Sequence, residues 1–248
     1  MSVAPLRRQV LVACDPEIAY RVFLDEIGSW WPVASHGCFG EGSAVAFDGE
    51  RIVETAPDGR TAVWGTVVES AAPREVSFTW HPGRGPEDAT RVRLTFVPAG
   101  EAATLVTLVH AGWEARADAD RIRGESAGGW VTVLARYADA PAVAGDAPGE
   151  RWFVLEHTAG PATPPEGVFA SPDFPKHIAF LRELQARGQL VAGGPLPDDP
   201  GSGMTIARVP HAAAARELIL AAQHDDGAVA AGLLEVRVRP WRVALAAA

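Results

Sequence analysis

The chain is short of cysteine, of basic charge and of long apolar runs. Its 248 residues hold two cysteines, Cys14 and Cys38. They form no CxxC pair and have no metal-ligand spacing around them, so no metal site is expected. At most one disulfide is available, and two unpaired thiols in a reducing compartment are the simpler reading. Lys plus Arg number 22 against 31 acidic residues, a formal charge of -9. Nucleic acid and anionic membrane both reward a basic surface, and no Lys/Arg-rich run is present, so neither is expected as a partner. No stretch approaches the ~20 apolar residues that span a bilayer, and "MSVAPLRRQVLVACDPE" lacks the apolar segment of a secretory signal. The cytoplasm is the expected location. "AGGP" is neither a Walker pattern nor a dinucleotide fingerprint, and no cofactor is expected.

What is present is ordinary globular material: 48% apolar and 21% charged residues. The length permits two domains. The stretch "DAPAVAGDAPGE", residues 139–150, is rich in Ala, Pro, Gly and Asp and has no apolar periodicity, which marks a linker. The expected division is a domain over 1–139, a linker over 140–150 and a domain over 151–248. No repeat relates the two halves.

The C-terminal half reads as strand "RWFVLEHT", helix "FPKHIAFLRELQARG", strand "QLVAGGPL", strand "MTIARV", helix "HAAAARELILAAQ" and strand "LLEVRVRPW". That β-α-β-β-α-β order is ferredoxin-like, with both helices on one sheet face. The bare face needs cover in a domain of about 100 residues, and a second subunit is the usual supplier, so a homodimer through this half is expected. In the first helix Pro175 suits the first turn and Gly188 the residue past the end. Ile178, Leu181 and Leu184 mark its apolar stripe, and His177 shares that stripe. An imidazole there is either a core residue hydrogen-bonded to a carbonyl or carboxylate, or part of a site.

The runs "KHIAFLRELQARGQLVAGGPLPDD" and "DDGAVAAGLLEVRVRPW" resemble the YciI-related family of small dimeric α/β-barrel proteins over roughly residues 151–243. The resemblance implies a pocket that pairs a His of the first helix with an Asp just after the second. These are His177 and Asp226 here, with Asp225 as the neighbouring alternative. Two positions depart from the family: Gly227 stands where Pro is usual, and Phe174 where a basic residue often precedes the His. Lys176 is the candidate substitute for that lost charge. A carboxylate accepting from one ring nitrogen fixes the tautomer and raises the basicity of the other, giving a general acid/base.

The N-terminal half opens with strand "LRRQVLVA" and a helix that starts at Asp15-Pro16-Glu17. Ile18, Val22 and Ile27 mark the core side of this helix. Six strand-like runs separated by turn signals follow, then a helical stretch over 119–138 with Trp130, Leu134 and Tyr137 at helical spacing. "EVSFTWHPG" and "GWVTVLARYAD" resemble the SRPBCC (START-like) superfamily over about residues 6–139. The nearest branch is the one named after the activator of the heat-shock-protein-90 ATPase. The resemblance implies a helix-grip fold enclosing an apolar cavity. Phe78, Trp80, Trp113, Trp130 and Leu134 are the candidate lining, with Tyr137 as a polar handle; the alternative is that these rings fill a core. Gly128-Gly129 either admits close approach or a kink, or ends a short helix. His36, His81 and His110 are scattered.

The expected fold class is therefore α+β: a helix-grip (START-like) domain followed by a ferredoxin-like dimeric α/β-barrel domain. Three functions remain open. One is a lyase or hydrolase using His177 and Asp226 on a small hydrophobic or aromatic molecule. The second is a non-catalytic binder of such molecules, and the third a chaperone-accessory protein.

Overall fold

The computed structural model describes residues 3–116 and 118–245. The chain divides into two compact units. The first runs to Gly145 except for Ala99–Ala102, and the second takes those four residues with everything from Asp146.

The first unit begins with β1 (Leu6–Val12), α1 (Pro16–Asp25), α2 (Ile27–Trp30) and α3 (Val33–His36). A meander follows: β2 (Ala44–Asp48), β3 (Arg51–Thr55), β4 (Thr61–Ala71), β5 (Glu75–Trp80), β6 (Thr90–Pro98) and β7 (Thr104–Ala111). All seven strands form one antiparallel sheet in the order β1-β7-β6-β5-β4-β3-β2. Alternation sets its two faces. On β6, Val92, Leu94 and Phe96 are buried while Arg91 and Arg93 are exposed. The register carries that inner face across the sheet, pairing Val92 with Phe78 on β5 and with His110 on β7.

The long helix α4 (Ala119–Ala138) closes the unit. Trp130, Val133, Leu134 and Tyr137 are its buried stripe, and they join the core that holds the inner sheet face. The helix runs through Gly128 and Gly129 without ending. A Cβ on Gly128 would meet nothing within 4 Å, and one on Gly129 only the His36 ring at 3.6 Å, so no close approach requires either glycine. On α1 the buried residues are Ala19, Val22 and Phe23, whereas Ile18 is 38% exposed. Of the expected core side, Val22 and Ile27 are buried and Ile18 is not; Ala19 and Phe23 take its place. Asp15 occupies the N-cap without a side-chain bond to the helix. Chain expected as linker packs instead: Ala140 and Val143 are buried in the first core, and the Ala13 N–H donates to the Val143 carbonyl at 2.9 Å.

The second unit contains β8 (Pro148–Ala159), α5 (Phe174–Ala186), β9 (Leu190–Pro195), β10 (Gly203–His211), α6 (Ala212–His224), α7 (Gly227–Ala230) and β11 (Leu234–Trp241). Its sheet is antiparallel in the order β11-β8-β10-β9, the ferredoxin-like arrangement. Arg151, Phe153, Leu155 and His157 of β8 share the buried face with Thr205, Ala207 and Val209 of β10. Phe180 and Leu184 of α5 and Leu218 and Ile219 of α6 are buried on the helices. The opposite face carries Trp152, Val154 and Ile206 half-buried, with Met204 at 38% and Trp241 at 42% exposure. There Trp241 meets Trp152 edge-on at 5.9 Å, and Arg208 lies 5.5 Å over the Trp152 ring. Among the described residues no helix is long and apolar enough to cross a membrane. Cys14 and Cys38 are both free.

Candidate functional site

Helix α5 carries Pro175 in its first turn, where a missing N–H leaves no helical bond unmade. Gly188 follows its end with a φ of +69°, a left-handed conformation that favours glycine. Its buried stripe is His177, Phe180 and Leu184. Ile178 and Leu181, expected in that stripe, are half-buried and line an open pocket with about 70 Å³ of water-accessible space. Phe169, Phe174 and Leu234 supply further apolar wall, with Ser202 and Thr205 as hydroxyls and His157 and His177 as imidazoles.

Asp226 is the N-cap of α7 and has no exposed surface. Its Oδ1 accepts from the Ala228 N–H at 3.0 Å, and its Oδ2 accepts from His177 Nδ1 at 2.6 Å. The backbone bond fixes the carboxylate, and the carboxylate fixes the imidazole with hydrogen on Nδ1. Asp225 caps the end of α6 and is exposed. Both departures from the YciI-related pattern have local explanations. A Cβ on Gly227 would come within 2.9–3.0 Å of the Lys176 stem, so glycine lets that side chain cross the start of α7. Lys176 does not serve as the missing pocket cation, because its Nζ pairs with Asp173 Oδ1 at 2.6 Å. Phe174 stacks edge-on with Phe169 at 4.8 Å and makes that wall apolar.

A third polar group stands beside the pair. His157, near the end of β8, is 3% exposed, and neither ring nitrogen has a hydrogen-bond partner. Its Nε2 lies 3.9 Å from Asp226 Oδ2, and its ring centre 4.6 Å from that of His177. Burial pushes its pKa down to about 4; the charge of His177 acts in the same direction, and Asp226 and the nearby Leu155 backbone, too poorly placed for a well-formed hydrogen bond, act against it. The ring is therefore neutral at physiological pH. Sequence reading missed it, although the alternation of Phe153, Leu155 and His157 puts all three on one strand face.

The first unit assembles the six candidate lining residues differently from an open cavity. Phe78 meets Trp80 at 5.9 Å, Trp80 meets Trp130 at 5.3 Å, and Trp113 lies 4.0 Å from His110. Trp113 and Tyr137 have no exposed surface, while Phe78, Trp130 and Leu134 have 4% or less. Tyr137 is not a free polar handle: its hydroxyl donates to the Ala19 carbonyl at 2.7 Å. Trp80 alone of the six is half-buried.

Two further buried polar groups organise this unit. Trp130 Nε1 donates to His110 Nδ1 at 3.0 Å, which leaves Nε2–H to donate to Thr90 Oγ1 at 2.6 Å. The Thr90 hydroxyl then donates to the Trp80 carbonyl at 3.0 Å. Burial pushes the His110 pKa down to about 3. On β3, the fully buried Glu54 accepts from the Cys38 and Phe39 amides, the Ser43 hydroxyl and the Trp64 indole, at 2.6, 3.0, 2.6 and 3.0 Å. Burial alone would raise its pKa, but these donors outweigh that and hold it below the usual carboxylate range.

Residues 13–140 match the family model described as Activator of Hsp90 ATPase homolog 1-like protein, and residues 157–242 match the YCII-related domain. No curated protein matches the chain. Among solved structures it is similar to the self-sacrificing resistance protein CalC from Micromonospora echinospora. That match has 25% identity over 54% of this chain and 92% of the other, with a TM-score of 0.43. It is also similar to protein MLL2253 from Mesorhizobium loti, at 17% identity over 55% and 96% with a TM-score of 0.42. The Aha1 dimer from Colwellia psychrerythraea matches at 16% over 56% and 96%, with a TM-score of 0.41.

Proposed function

The chain belongs to the Activator of Hsp90 ATPase homolog 1-like family and carries a YCII-related domain, and from that premise we propose that its second unit is a small-molecule enzyme of the general acid/base type. The observation that carries this reading is the 2.6 Å contact between His177 Nδ1 and Asp226 Oδ2 at the wall of an apolar pocket. With Nδ1–H engaged, Nε2 is the free base. It takes a proton from a water attacking an ester or lactone carbonyl, or from carbon next to a carbonyl during elimination. Phe169, Phe174, Ile178 and Leu181 select a small hydrophobic or aromatic substrate. The reaction class is hydrolase or lyase.

The test uses p-nitrophenyl esters of increasing chain length and cyclic β-hydroxyketones as probes, on the full chain. Turnover that disappears in His177→Ala, with thermal unfolding retained, supports the reading. Turnover equal in His177→Ala and wild type overturns it.

In the first unit, hydrophobic-ligand binding is the function that the family fold favours. Trp80 and Trp130, in ring contact at 5.3 Å, are the residues a ligand would part, so binding displaces side chains rather than filling a preformed cavity. The bare sheet face with Trp152, Ile206, Met204 and Trp241 supports homodimerisation of the second unit. Sedimentation of wild type against Trp152→Glu reads that directly: a wild-type monomer at tens of micromolar refutes the dimer.

A further inference from the structure

We infer that His157, His177 and Asp226 form a site for a divalent transition-metal ion of the zinc class, with its remaining coordination position open to the pocket. One ligand atom from each residue lies within 4.8 Å of the others. The three come from separate elements that hold them firmly: the paired strand β8, the helix α5 and the N-cap of α7. Two imidazoles and a carboxylate are the donor types that zinc accepts, and three protein ligands with one open position is the pattern of catalytic rather than structural zinc sites.

The second observation is independent of the acid/base pair. A buried polar group without a partner is costly, and native structures rarely keep one without a ligand or water to satisfy it. His157 is 97% buried, lines the pocket, and leaves both ring nitrogens without a hydrogen bond. The His177–Asp226 pair explains neither nitrogen. An ion near Asp226 Oδ2 explains one of them.

The fit needs the side chains to close on the ion, since the three ligand atoms now lie within 4.8 Å of one another. Bonds of about 2.0–2.2 Å set the ligand atoms roughly 3.3 Å apart in a tetrahedral site. The present separations from Asp226 Oδ2 are 2.6 Å to His177 Nδ1 and 3.9 Å to His157 Nε2, which bracket that value. The ion replaces the hydrogen between His177 and Asp226, and the imidazole then carries its hydrogen on Nε2. Asp226 Oδ1 keeps its bond from the Ala228 N–H, the outer contact that orients a ligating carboxylate. A water in the open position becomes acidic enough to supply hydroxide near neutral pH, and a substrate carbonyl there is polarised.

The inference does not rest on the acid/base reading, which describes the metal-free chain with hydrogen on Nδ1 and Nε2 of His177 as the base, and the two are tested separately. Chelator-treated, tag-free full chain is titrated calorimetrically with zinc chloride, and cobalt(II) is followed by visible absorption. The expected result is one ion per chain, with affinity reduced about 100-fold or more in His157→Gln and in Asp226→Asn. Thermal unfolding in chelator shows that both variants are folded; should one not be, the other carries the test. No stoichiometric binding by wild type, or equal binding by the folded variants, overturns the metal site. Ester or elimination turnover by the chelated chain bears on the His177–Asp226 reading alone, because that chemistry needs neither the ion nor His157.

Discussion

Taking the protein from pH 7.5 to pH 5.0 should cost the first unit about 2 kcal/mol through His110 alone. In the folded chain burial lowers the pKa of this imidazole from 6.5 to about 3, so it stays neutral across the interval. In the unfolded chain it titrates near 6.5. A folded value below the unfolded one means that the unfolded state binds more protons between about 3 and 6.5. Stability is therefore complete above that window and falls as pH falls through it. At pH 5.0 the loss is RT ln(1 + 10^1.5), about 2 kcal/mol, and it grows towards pH 3. The hydrogen bonds give the reason. A second ring proton would have to sit on Nδ1, which already accepts from Trp130 Nε1. The assay is denaturant unfolding followed by tryptophan fluorescence, since six of the eight tryptophans belong to the first unit. Wild type is compared with His110→Gln at both pH values. The glutamine cannot titrate, so its pH dependence should be flatter by about 2 kcal/mol whatever its own offset in stability. Equal pH dependences would refute the reasoning. So would an imidazole carbon signal for His110 that titrates near 6.5, because it would mean that the aromatic wall around the ring is wet and a cavity is open there.

Three other substitutions test separate parts of the structure. Glu54→Gln should destabilise the first unit by about 2 kcal/mol or more, because a neutral amide replaces the shared acceptor of four donors. Hydrogen exchange at the Cys38 and Phe39 amides should accelerate with it, and unchanged protection there would count against the network. Gly128→Ala should stabilise by about 0.5–1 kcal/mol, since the new methyl meets nothing within 4 Å and the helix gains propensity; a lower unfolding midpoint would contradict this. Asp226→Ala should lower stability by about 1 kcal/mol more than Asp226→Asn does, because asparagine keeps the cap on Ala228 and alanine loses it. Chemical denaturation of the two variants side by side gives that difference.

How far the sequence exposes the molecule depends on whether a feature is a pattern or a meeting. Strand β6 is legible because Val92, Leu94 and Phe96 alternate with arginines, and its period needs no partner to be seen. The same rule puts His110 on the inner face, two residues beyond Leu108, and His157 two beyond Leu155. It puts Glu54 two beyond the buried Ile52. Each polar residue on an apolar face is visible as an anomaly, and so is His177 on α5. What the pattern does not contain is how the anomaly is resolved. Glu54 is satisfied by a loop at 38–43 and by Trp64, and His110 by Thr90 and Trp130. His177 finds its partner 49 residues away, at the cap of a four-residue helix whose own sequence signals little. That pairing was readable only through the resemblance of two separate patches to one family. His157 lies against the same carboxylate and is not satisfied by it. In physical terms the four anomalies divide cleanly: Glu54 and His110 have every polar atom accounted for by protein and need no ligand, so they hold the fold. Of these four, it is the cluster around Asp226 that leaves buried donor and acceptor capacity unspent beside an open pocket, and chemistry belongs where that capacity is unspent.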